Sequence, residues 1–472
     1  MSEETSLGDA RFRELRDVEF HRVDASGHTY LDYTGSALPP KSLIESHAVF
    51  LERELLGNPH ADSTVSRRST ELMDQARARV LQFFSGDPEE YSVCFTENAS
   101  AAIRVVAEAF PFASDSRLVL AADNHNSVNG IRRYAARAGT PVQYLPLDAN
   151  LELNEEVTRR ALREGPAGPS LFAYPAQSNF SGVQHPLRLI REARSRRFRT
   201  LLDAAAFVPS NRLRLSKVQP DYVCISFYKM FGYPTGVGAL IARHDALAVL
   251  RRPWFSGGTV DFVSVQHVKE QPIDGPEHFE DGTPNFQAIA AVPAGLDFLD
   301  RVGLDAIHQH VSGLTNLLLA QLPTLRHANG APMIQLYGPA TMEARGGTVT
   351  VNLIDPDGYG IPYELVEREA AHAGISVRGG CFCNPGASER AFAIPADRAA
   401  SCLESLKASR FTPQRFSECA GDIVVGAVRI SLGLANHKKD LERLLQFFSS
   451  FRNRPSPRPL ESLGGTRVSA RT

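Results

Sequence analysis

Short apolar runs alternate with amphipathic stretches between residues 91 and 243. The apolar runs are "YSVCFT", "RLVLAA", "PVQYLPL", "SLFAYPA", "RTLLDAAA", "DYVCISF" and "GVGALIA", and helical patterns such as "SAAIRVVAEAF", "SVNGIRRYAARAG" and "PLRLIREARSRR" lie between them. Uniformly apolar strands separated by helices predict a mainly parallel α/β sheet that is covered on both faces. In such sheets ligands bind beyond the carboxyl ends of the strands.

A second unit follows a helix-rich connection at 286–325. It contains the strand patterns "GTVTVNLI", "ISVRGG" and "GAVRISLGL" and the helical patterns "PYELVEREAAHAG" and "KKDLERLLQFFSSF". We therefore expect a loose lead-in at 1–18, a large domain at 19–325 whose first part can pack with the small domain, and a small α+β domain at 326–451. The Pro-, Gly- and Arg-rich segment 452–472 is predicted to be a disordered tail.

The composition mainly argues against certain classes of partner and site. The chain is 43% apolar and 22% charged with a formal net charge of −2, so we expect no nucleic-acid or membrane partner. No apolar run approaches the ~20 residues that span a bilayer, and we expect no secretory signal, because the first residues are polar and mixed in charge. The six cysteines are therefore expected to be reduced thiols of a cytoplasmic protein. We expect no metal site, because no HExxH or paired CxxC motif occurs.

One lysine stands in unusual surroundings. Only seven of the 51 basic residues are lysine, and Lys229 lies in the aromatic and aliphatic stretch "CISFYKMFGYPTGVGAL". Asp203 closes the preceding apolar run, so a carboxylate and an amine are expected to face one crevice. A desolvated lysine with a lowered pKa is a nucleophile toward carbonyl groups, as pyridoxal phosphate requires. A simple buried ion pair is the other interpretation of these two residues.

Polar residues also close three other predicted strands. "TENASAAI" places Thr96, Asn98 and Ser100 at a strand-to-helix turn, which suits either an anion or an ordinary helix cap. His125 in "DNHNSV" and Asn179 in "PAQSNFSG" follow two further runs. Each is compatible with a structural role, but the four strand ends together favour a cofactor site.

Five segments carry a family resemblance: "SFYKMFGYPTGVGAL", "DNHNSVNGIRRYA", "LFAYPAQSNFSG", "FEDGTPNF" and "VRGGCFCNPGA". Together they resemble the class V aminotransferase superfamily. Within it they are most similar to the cysteine desulfurases, and especially to the desulfurase domain of molybdenum cofactor sulfurases. The likeness covers roughly residues 28–450. It implies fold type I of the pyridoxal-phosphate enzymes, pyridoxal 5'-phosphate as cofactor, and a homodimer with active sites at the subunit interface.

The resemblance also implies roles for individual residues. It makes Lys229 the Schiff-base lysine, Asp203 the partner of the pyridine nitrogen and His125 the residue stacked on the ring. The other cofactor contacts that it implies are Asn179 near the ring hydroxyl, Ser100 and Ser226 around the phosphate, and Thr283 at the phosphate of the neighbouring subunit. Asn98, in the same turn as Ser100, is a further candidate for cofactor binding. Arg429 would hold the substrate carboxylate, with Arg378 as the next candidate for that role.

This sequence departs from the family pattern in three ways. Many relatives have Gln three residues beyond the aspartate, whereas this chain has Ala206, which puts one ring-hydroxyl contact in question. The residue before the lysine is often His, and here it is Tyr228. Eukaryotic molybdenum cofactor sulfurases carry a further C-terminal domain, and we expect none in this sequence, because the segment after Phe451 is too short for one.

The loop "GGCFCNPG" supplies candidate sulfur chemistry. Alignment with related loops puts Cys383 at the catalytic place, with Cys381 two residues earlier; a half metal site and two incidental thiols are the other interpretations. The favoured function is a cysteine desulfurase: Lys229 removes the Cα proton of L-cysteine, Cys383 takes the sulfur as a persulfide, and alanine leaves. The sulfur would pass on to an acceptor protein or cofactor.

Three alternatives stay open at this point. A carbon–sulfur lyase acting on a cysteine conjugate would use the same cofactor and release pyruvate and ammonia. An aminotransferase or epimerase could retain the loop cysteines without using them. A non-catalytic scaffold of the same fold is the third, and the combination of Asp203, Lys229 and Arg429 argues against it.

Overall fold

The computed structural model describes residues 3–163, 165–406, 413–419 and 425–457. The strands are β1 (Thr29–Tyr30), β2 (Tyr91–Thr96), β3 (Leu118–Ala121), β4 (Val142–Leu145), β5 (Ser170–Pro175), β6 (Phe198–Asp203), β7 (Tyr222–Ser226), β8 (Gly238–Arg243), β9 (Val260–Ser264), β10 (Lys269–Pro272), β11 (Ile334–Tyr337), β12 (Thr348–Leu353), β13 (Ile375–Ser376), β14 (Arg378–Gly380) and β15 (Ala427–Ser431).

The α-helices of the described residues are α1 (Glu3–Glu19), α2 (Arg22–Ala25), α3 (Lys41–Arg53), α4 (Thr64–Phe83), α5 (Ala99–Ala109), α6 (Asn126–Asn129), α7 (Arg132–Arg137), α8 (Glu155–Arg163), α9 (Arg188–Ser195), α10 (Leu215–Val218), α11 (Phe227–Phe231), α12 (His244–Leu247), α13 (Phe286–Ile289), α14 (Val292–Val302), α15 (Leu304–Gln321), α16 (Tyr363–His372), α17 (Pro385–Ala391), α18 (Ala396–Leu406), α19 (Pro413–Cys419) and α20 (Lys438–Ser449). Short 3-10 helices span Pro276–Phe279 and Leu322–Thr324.

The large sheet has seven strands in the order β2-β8-β7-β6-β5-β3-β4. The pairs among β3 to β7 are parallel, and β8 runs antiparallel to both of its neighbours. Successive residues of β7 belong to opposite core clusters. Val223 belongs to the cluster that contains residues of α4 and α9, and Cys224 belongs to the cluster that contains residues of α5. The predicted mainly parallel, doubly covered sheet is confirmed.

A smaller antiparallel sheet, with the order β11-β12-β15-β14, follows the helices α13 to α15. The stretch "ISVRGG" forms two strands, because the chain changes partner at Val377. β13 pairs with β1 from the beginning of the chain, whereas β14 pairs with β15. The N-terminal segment is thereby held against the C-terminal sheet.

Both predicted loose ends differ from the structure where it describes them. Within the expected lead-in at 1–18, the chain from Glu3 onward forms α1, because Phe12 is buried and the guanidinium of Arg16 lies 2.7 Å from Asp24 and 2.6 Å from Asp440. In the expected tail at 452–472, Arg454 pairs with Glu369 at 2.7 Å. Residues 458–472 lie outside the described part.

The expectation of six reduced cysteines is wrong for two of them. Cys402 in α18 and Cys419 in α19 form a disulfide, because the two helices bring their Cα atoms to 5.7 Å, a separation that a disulfide can bridge. Cys94, Cys224, Cys381 and Cys383 are free thiols. No helix in the described part of the chain is both long enough and apolar enough to cross a bilayer.

Candidate functional site

Lys229 lies one turn beyond the carboxyl end of β7. The chain leaves the strand at Ser226 and enters the five-residue helix α11, which Gly232 ends in the left-handed conformation with φ of 77°. Glycine is required there, since a Cβ at this position would also collide with the backbone of Pro39. This tight strand–helix–glycine unit fixes Lys229 at the strand ends.

Asp203 ends the neighbouring strand β6, where it is paired in register with Cys224 of β7 and Pro175 of β5. It is 9% exposed, and its Oδ1 accepts a hydrogen bond of 3.0 Å from the N–H of Ala205. Asp203 and Lys229 line the same cavity of about 180 Å³. The sheet register thus brings together the carboxylate and the amine that the sequence suggested.

The same cavity collects most of the other predicted cofactor residues. Besides Asp203 and Lys229, its lining includes Asn98, Ser100, His125, Asn179 and Ser226. Tyr228, Ala206 and Gln177 line it as well. The strand ends β2, β3, β5, β6 and β7 therefore converge on one crevice, as expected for a parallel sheet.

Burial shifts the pKa values of both basic groups in this crevice. Desolvation lowers the pKa of Lys229, and the nearby charge of Asp203 offsets only part of that effect. Desolvation likewise lowers the pKa of His125. A larger fraction of the Lys229 amine is therefore neutral, and nucleophilic, than in an exposed lysine.

The N-terminus of α5 faces the cavity with hydroxyl groups around it. Asn98 caps the helix, its side chain accepting 3.0 Å from the N–H of Ala101. Ser226 Oγ accepts 2.9 Å from the N–H of Ala99, which leaves its own O–H free to donate. Ser100 Oγ lies 2.5 Å from Ser127 Oγ. Hydroxyl donors and a helix N-terminus together suit a phosphate group.

The cysteine loop is anchored to this crevice. The N–H of Asn126, next to His125, donates 2.8 Å to the carbonyl of Cys383, and Asn179 Nδ2 donates 2.7 Å to the carbonyl of Phe382. Phe382 and Cys383 both have φ of 55°, which is a strained conformation for residues other than glycine. The loop backbone is thus held in place, whereas the Cys383 side chain is exposed.

The two loop thiols occupy different environments. Cys381 is partly buried, its Sγ lies 2.7 Å from the carbonyl oxygen of Val425, and burial raises the pKa of its thiol. Cys383 presents its thiol to solvent. Of the two cysteines, Cys383 is therefore the more accessible from solvent.

Arg378 and Arg429 lie directly opposite each other on β14 and β15. Arg429 is buried, donates 3.0 Å to the carbonyl of Asn179 and sits over the ring of Phe382 at 4.9 Å. Both arginines bind Asp32, at 2.6 Å from Arg378 Nη2 and 2.9 Å from Arg429 Nη2. This arginine pair is therefore linked to Asn179 and to the cysteine loop.

Thr283 and Thr96 lie outside the Lys229 cavity. Both line a second cavity of about 270 Å³ together with Glu97 and Arg104, and Asn58 Nδ2 donates 3.2 Å to Thr283 Oγ1. Within a single chain Thr283 therefore belongs to a different surface from the other predicted cofactor residues.

Sequence reasoning missed three residues of the site. Ser127 and Gln177 line the cavity, and Asp32 holds both arginines. Asp32 follows the short apolar run "TYL" just as Asp203 follows "TLL", and this carboxylate after an apolar run was a usable signal. Gln177 lies in the cavity beside Ala206, and only the three-dimensional arrangement shows that.

Comparison with known proteins gives the family. The sequence profile described as "Aminotransferase class-V" matches residues 29–444. The chain is 36% identical to a molybdenum cofactor sulfurase of Bos taurus over 97% of this chain, and 35% identical to one of Arabidopsis thaliana over 98%. It spans only 54% and 60% of those two proteins. This chain belongs to the class V aminotransferase family.

Solved structures confirm the fold class. A cysteine desulfurase of Thermococcus onnurineus NA1 superimposes with a TM-score of 0.76 at 22% identity, covering 93% of this chain and 97% of that one. A cysteine desulfurase of Escherichia coli gives 0.72 at 20% identity, covering 94% and 98%. The cystine C–S lyase C-DES gives 0.67 at 18% identity, covering 90% and 98%. Among these neighbours, the one fold thus occurs in cysteine desulfurases and in a C–S lyase.

Proposed function

We propose that this chain is a pyridoxal-phosphate-dependent cysteine desulfurase, which takes sulfur from L-cysteine as a persulfide on Cys383 and releases alanine. The observation that carries the proposal is the exposed Cys383 thiol, on a loop whose backbone is bonded to Asn126 and Asn179 beside the Lys229 cavity. The similarity to molybdenum cofactor sulfurases and to cysteine desulfurase structures supports it.

The residues of the cavity fit pyridoxal phosphate. Lys229 offers an amine whose pKa is lowered, for covalent attachment of the cofactor aldehyde. Asp203 offers a buried carboxylate for the ring nitrogen, and Ser100, Ser226 and the N-terminus of α5 offer donors for the phosphate. When bound, the cofactor withdraws electrons from the substrate Cα.

The chain's own groups would then carry the reaction. Arg429 binds the substrate carboxylate, and the Lys229 amine takes the Cα proton. The Cys383 thiolate attacks the substrate sulfur, the Cβ–S bond breaks, and its electron pair stays with the carbon fragment, which is protonated and leaves as alanine. Cys383 thiol and L-cysteine give Cys383 persulfide and L-alanine, so no external oxidant or reductant is needed. A sulfur-acceptor protein or cofactor would then take the terminal sulfur.

Product analysis tests this function. Incubation of the purified protein with L-cysteine should give alanine, with sulfide released when a thiol reductant is present. Pyruvate and ammonia would instead identify a carbon–sulfur lyase, the reaction type of the cystine C–S lyase that shares this fold.

Asp203→Asn should lower kcat by about a hundredfold or more while the protein still becomes yellow with cofactor. The amide cannot hold a proton on the ring nitrogen, and losing one charged group aimed at developing charge has an effect of this size. Steady-state kinetics with L-cysteine measures it. The matched control is Asp221→Asn, a buried carboxylate at the opposite end of the adjacent strand, which should lower the melting temperature but not the rate. Wild-type turnover in Asp203→Asn would refute the assigned role.

We further propose that the chain forms a homodimer in which Thr283 reaches the phosphate of the neighbouring subunit. The hairpin β9–β10 supports this, because Phe262, Val265 and Val268 are 66%, 91% and 89% exposed in the single chain. Trp254, on the approach to the hairpin, is 61% exposed. Exposed apolar side chains clustered in this way mark a contact surface.

Light scattering should give a mass near twice 51.7 kDa at micromolar concentration. Phe262→Ser together with Val265→Ser should shift the protein toward the monomer, whereas Val18→Ser, at an exposed position on α1, should not. A fully active monomeric wild type would contradict the shared site.

We also propose a cytoplasmic location, since the Cys383 thiol needs a reducing compartment. The Cys402–Cys419 disulfide is unusual there. Cell fractionation with antibody detection decides the compartment.

A further inference from the structure

Asp32 joins the two arginines near the cysteine loop into one charge cluster. Its Oδ2 accepts 3.0 Å from Arg378 Nε and 2.6 Å from Arg378 Nη2, and its Oδ1 accepts 2.9 Å from Arg429 Nη2. Asp32 and Arg429 are buried, at 8% and 2% exposed, whereas the Arg378 side chain is 49% exposed, so the contact with Arg429 is the one shielded from water. We call the cluster of Asp32, Arg378 and Arg429 the arginine seat. It has two positive charges and one negative charge.

Several features of the chain build this seat. Asp32 forms a bridge to Ser431, two residues beyond Arg429 on β15, which places it beside the arginine pair. Gly35 leaves the necessary space, because a Cβ there would lie 2.5 Å from Asp32 Oδ2 and 2.6 Å from Arg378 Nη2. Two guanidinium groups in directly opposed strand positions repel each other, and Asp32 offsets that repulsion.

The seat retains capacity for one more anion. Arg429 is 2% exposed, and its Nε has no hydrogen-bond partner among the described residues. A buried N–H without a partner is costly, and a bound carboxylate would satisfy it. Glu367, a carboxylate of α16, accepts 2.8 Å from the N–H of Gly379 on β14 and is already engaged.

We propose that Asp32 sets the arginine seat to a single net positive charge and thereby restricts the enzyme to amino acids with one carboxylate. This inference rests on the proposed function, in which Arg429 holds the substrate carboxylate. The second carboxylate of L-aspartate would be repelled by the negative charge of Asp32, because Asp32 already compensates one of the two guanidinium charges. Asp32 acts through the two arginines and is a positioning residue.

Binding of L-alanine and L-aspartate to the purified holoenzyme tests the proposal. Apparent affinities are measured from the melting temperature as each amino acid is titrated. The wild type should prefer L-alanine, and Asp32→Asn should shift the ratio of the two affinities toward L-aspartate by about tenfold, a change of about 1.4 kcal/mol. An unchanged ratio in Asp32→Asn overturns the inference.

Charge rescue separates this role from a purely structural one. The double variant Asp32→Asn with Arg378→Gln again has one net positive charge, from Arg429, and should regain the wild-type ratio. Arg378→Gln alone leaves no net charge and should bind L-alanine about tenfold more weakly. If Asp32→Asn does not fold, the other two variants decide. The inference is overturned if Arg378→Gln binds L-alanine as tightly as the wild type, or if the double variant prefers L-aspartate.

A matched control uses a second carboxylate bound to a buried arginine. Asp24→Asn removes a 2.7 Å contact to Arg16, which also binds Asp440, and it should leave the affinity ratio unchanged. A shift of equal size in this variant would overturn the inference. Alanine production from L-cysteine by the wild type is measured in parallel. If the wild type produces alanine but Asp32→Asn leaves the ratio of the two affinities unchanged, only the inference fails. If the wild type binds neither amino acid and makes no alanine, both fail.

Discussion

Lys229→Ala should abolish both the yellow colour of the purified protein and its turnover of L-cysteine. Lys229 is the single amine among the residues that line the cavity, so no other lining group can attach the cofactor aldehyde covalently. The substitution also removes the base that takes the Cα proton. Losing attachment and proton transfer together should lower the rate to background, a larger effect than removing a general base alone, which is about 10²–10⁴-fold.

Absorbance spectra and product assays on the same preparation measure this result. Lys217→Ala is the matched control, because Lys217 is exposed in α10, just before the start of the same strand β7, and it should change neither colour nor rate. A Lys229→Ala protein that stays yellow and active would show that the cofactor is attached elsewhere.

Cys383→Ser should abolish alanine formation although the variant still binds cofactor and L-cysteine. A hydroxyl is a far weaker nucleophile than a thiolate toward the substrate sulfur, and it cannot carry a persulfide. Cys381→Ser should have a milder effect, since the Cys381 thiol is partly buried, lies against the carbonyl of Val425 and has its pKa raised by burial. The paired variants therefore separate the reactive thiol from its neighbour.

Product analysis with alanine and pyruvate assays measures both variants. Full alanine formation by Cys383→Ser would remove Cys383 from the reaction. Full turnover with pyruvate as product would replace the desulfurase proposal with a carbon–sulfur lyase.

The sequence predicted those features that depend on local pattern and strand direction. Uniformly apolar runs such as "SLFAYPA" identified the buried parallel strands, and the strand-end rule then placed Asp203, Lys229 and His125 at one edge. The structure brings these three side chains into one cavity. Short-range pattern was sufficient here because parallel strands leave few arrangements for their carboxyl ends.

Features that depend on contacts between distant segments were not predicted. Asp32 binds Arg429, which lies 397 residues later in the chain. The two are close only because the segment after β1 forms a bridge to β15. α1 is held by the contact of Arg16 with Asp440, and the disulfide requires that α18 and α19 pack together. Apolar periodicity does not encode these pairings, so only the folded arrangement reveals them.

Intact-protein mass spectrometry after a single turnover with L-cysteine tests the central claim most directly. The desulfurase account predicts one extra sulfur atom per chain, located on Cys383 by peptide mapping, together with one equivalent of alanine. The extra mass should disappear on treatment with a thiol reductant and should be absent in Cys383→Ser. An unmodified Cys383 accompanied by pyruvate would contradict the account.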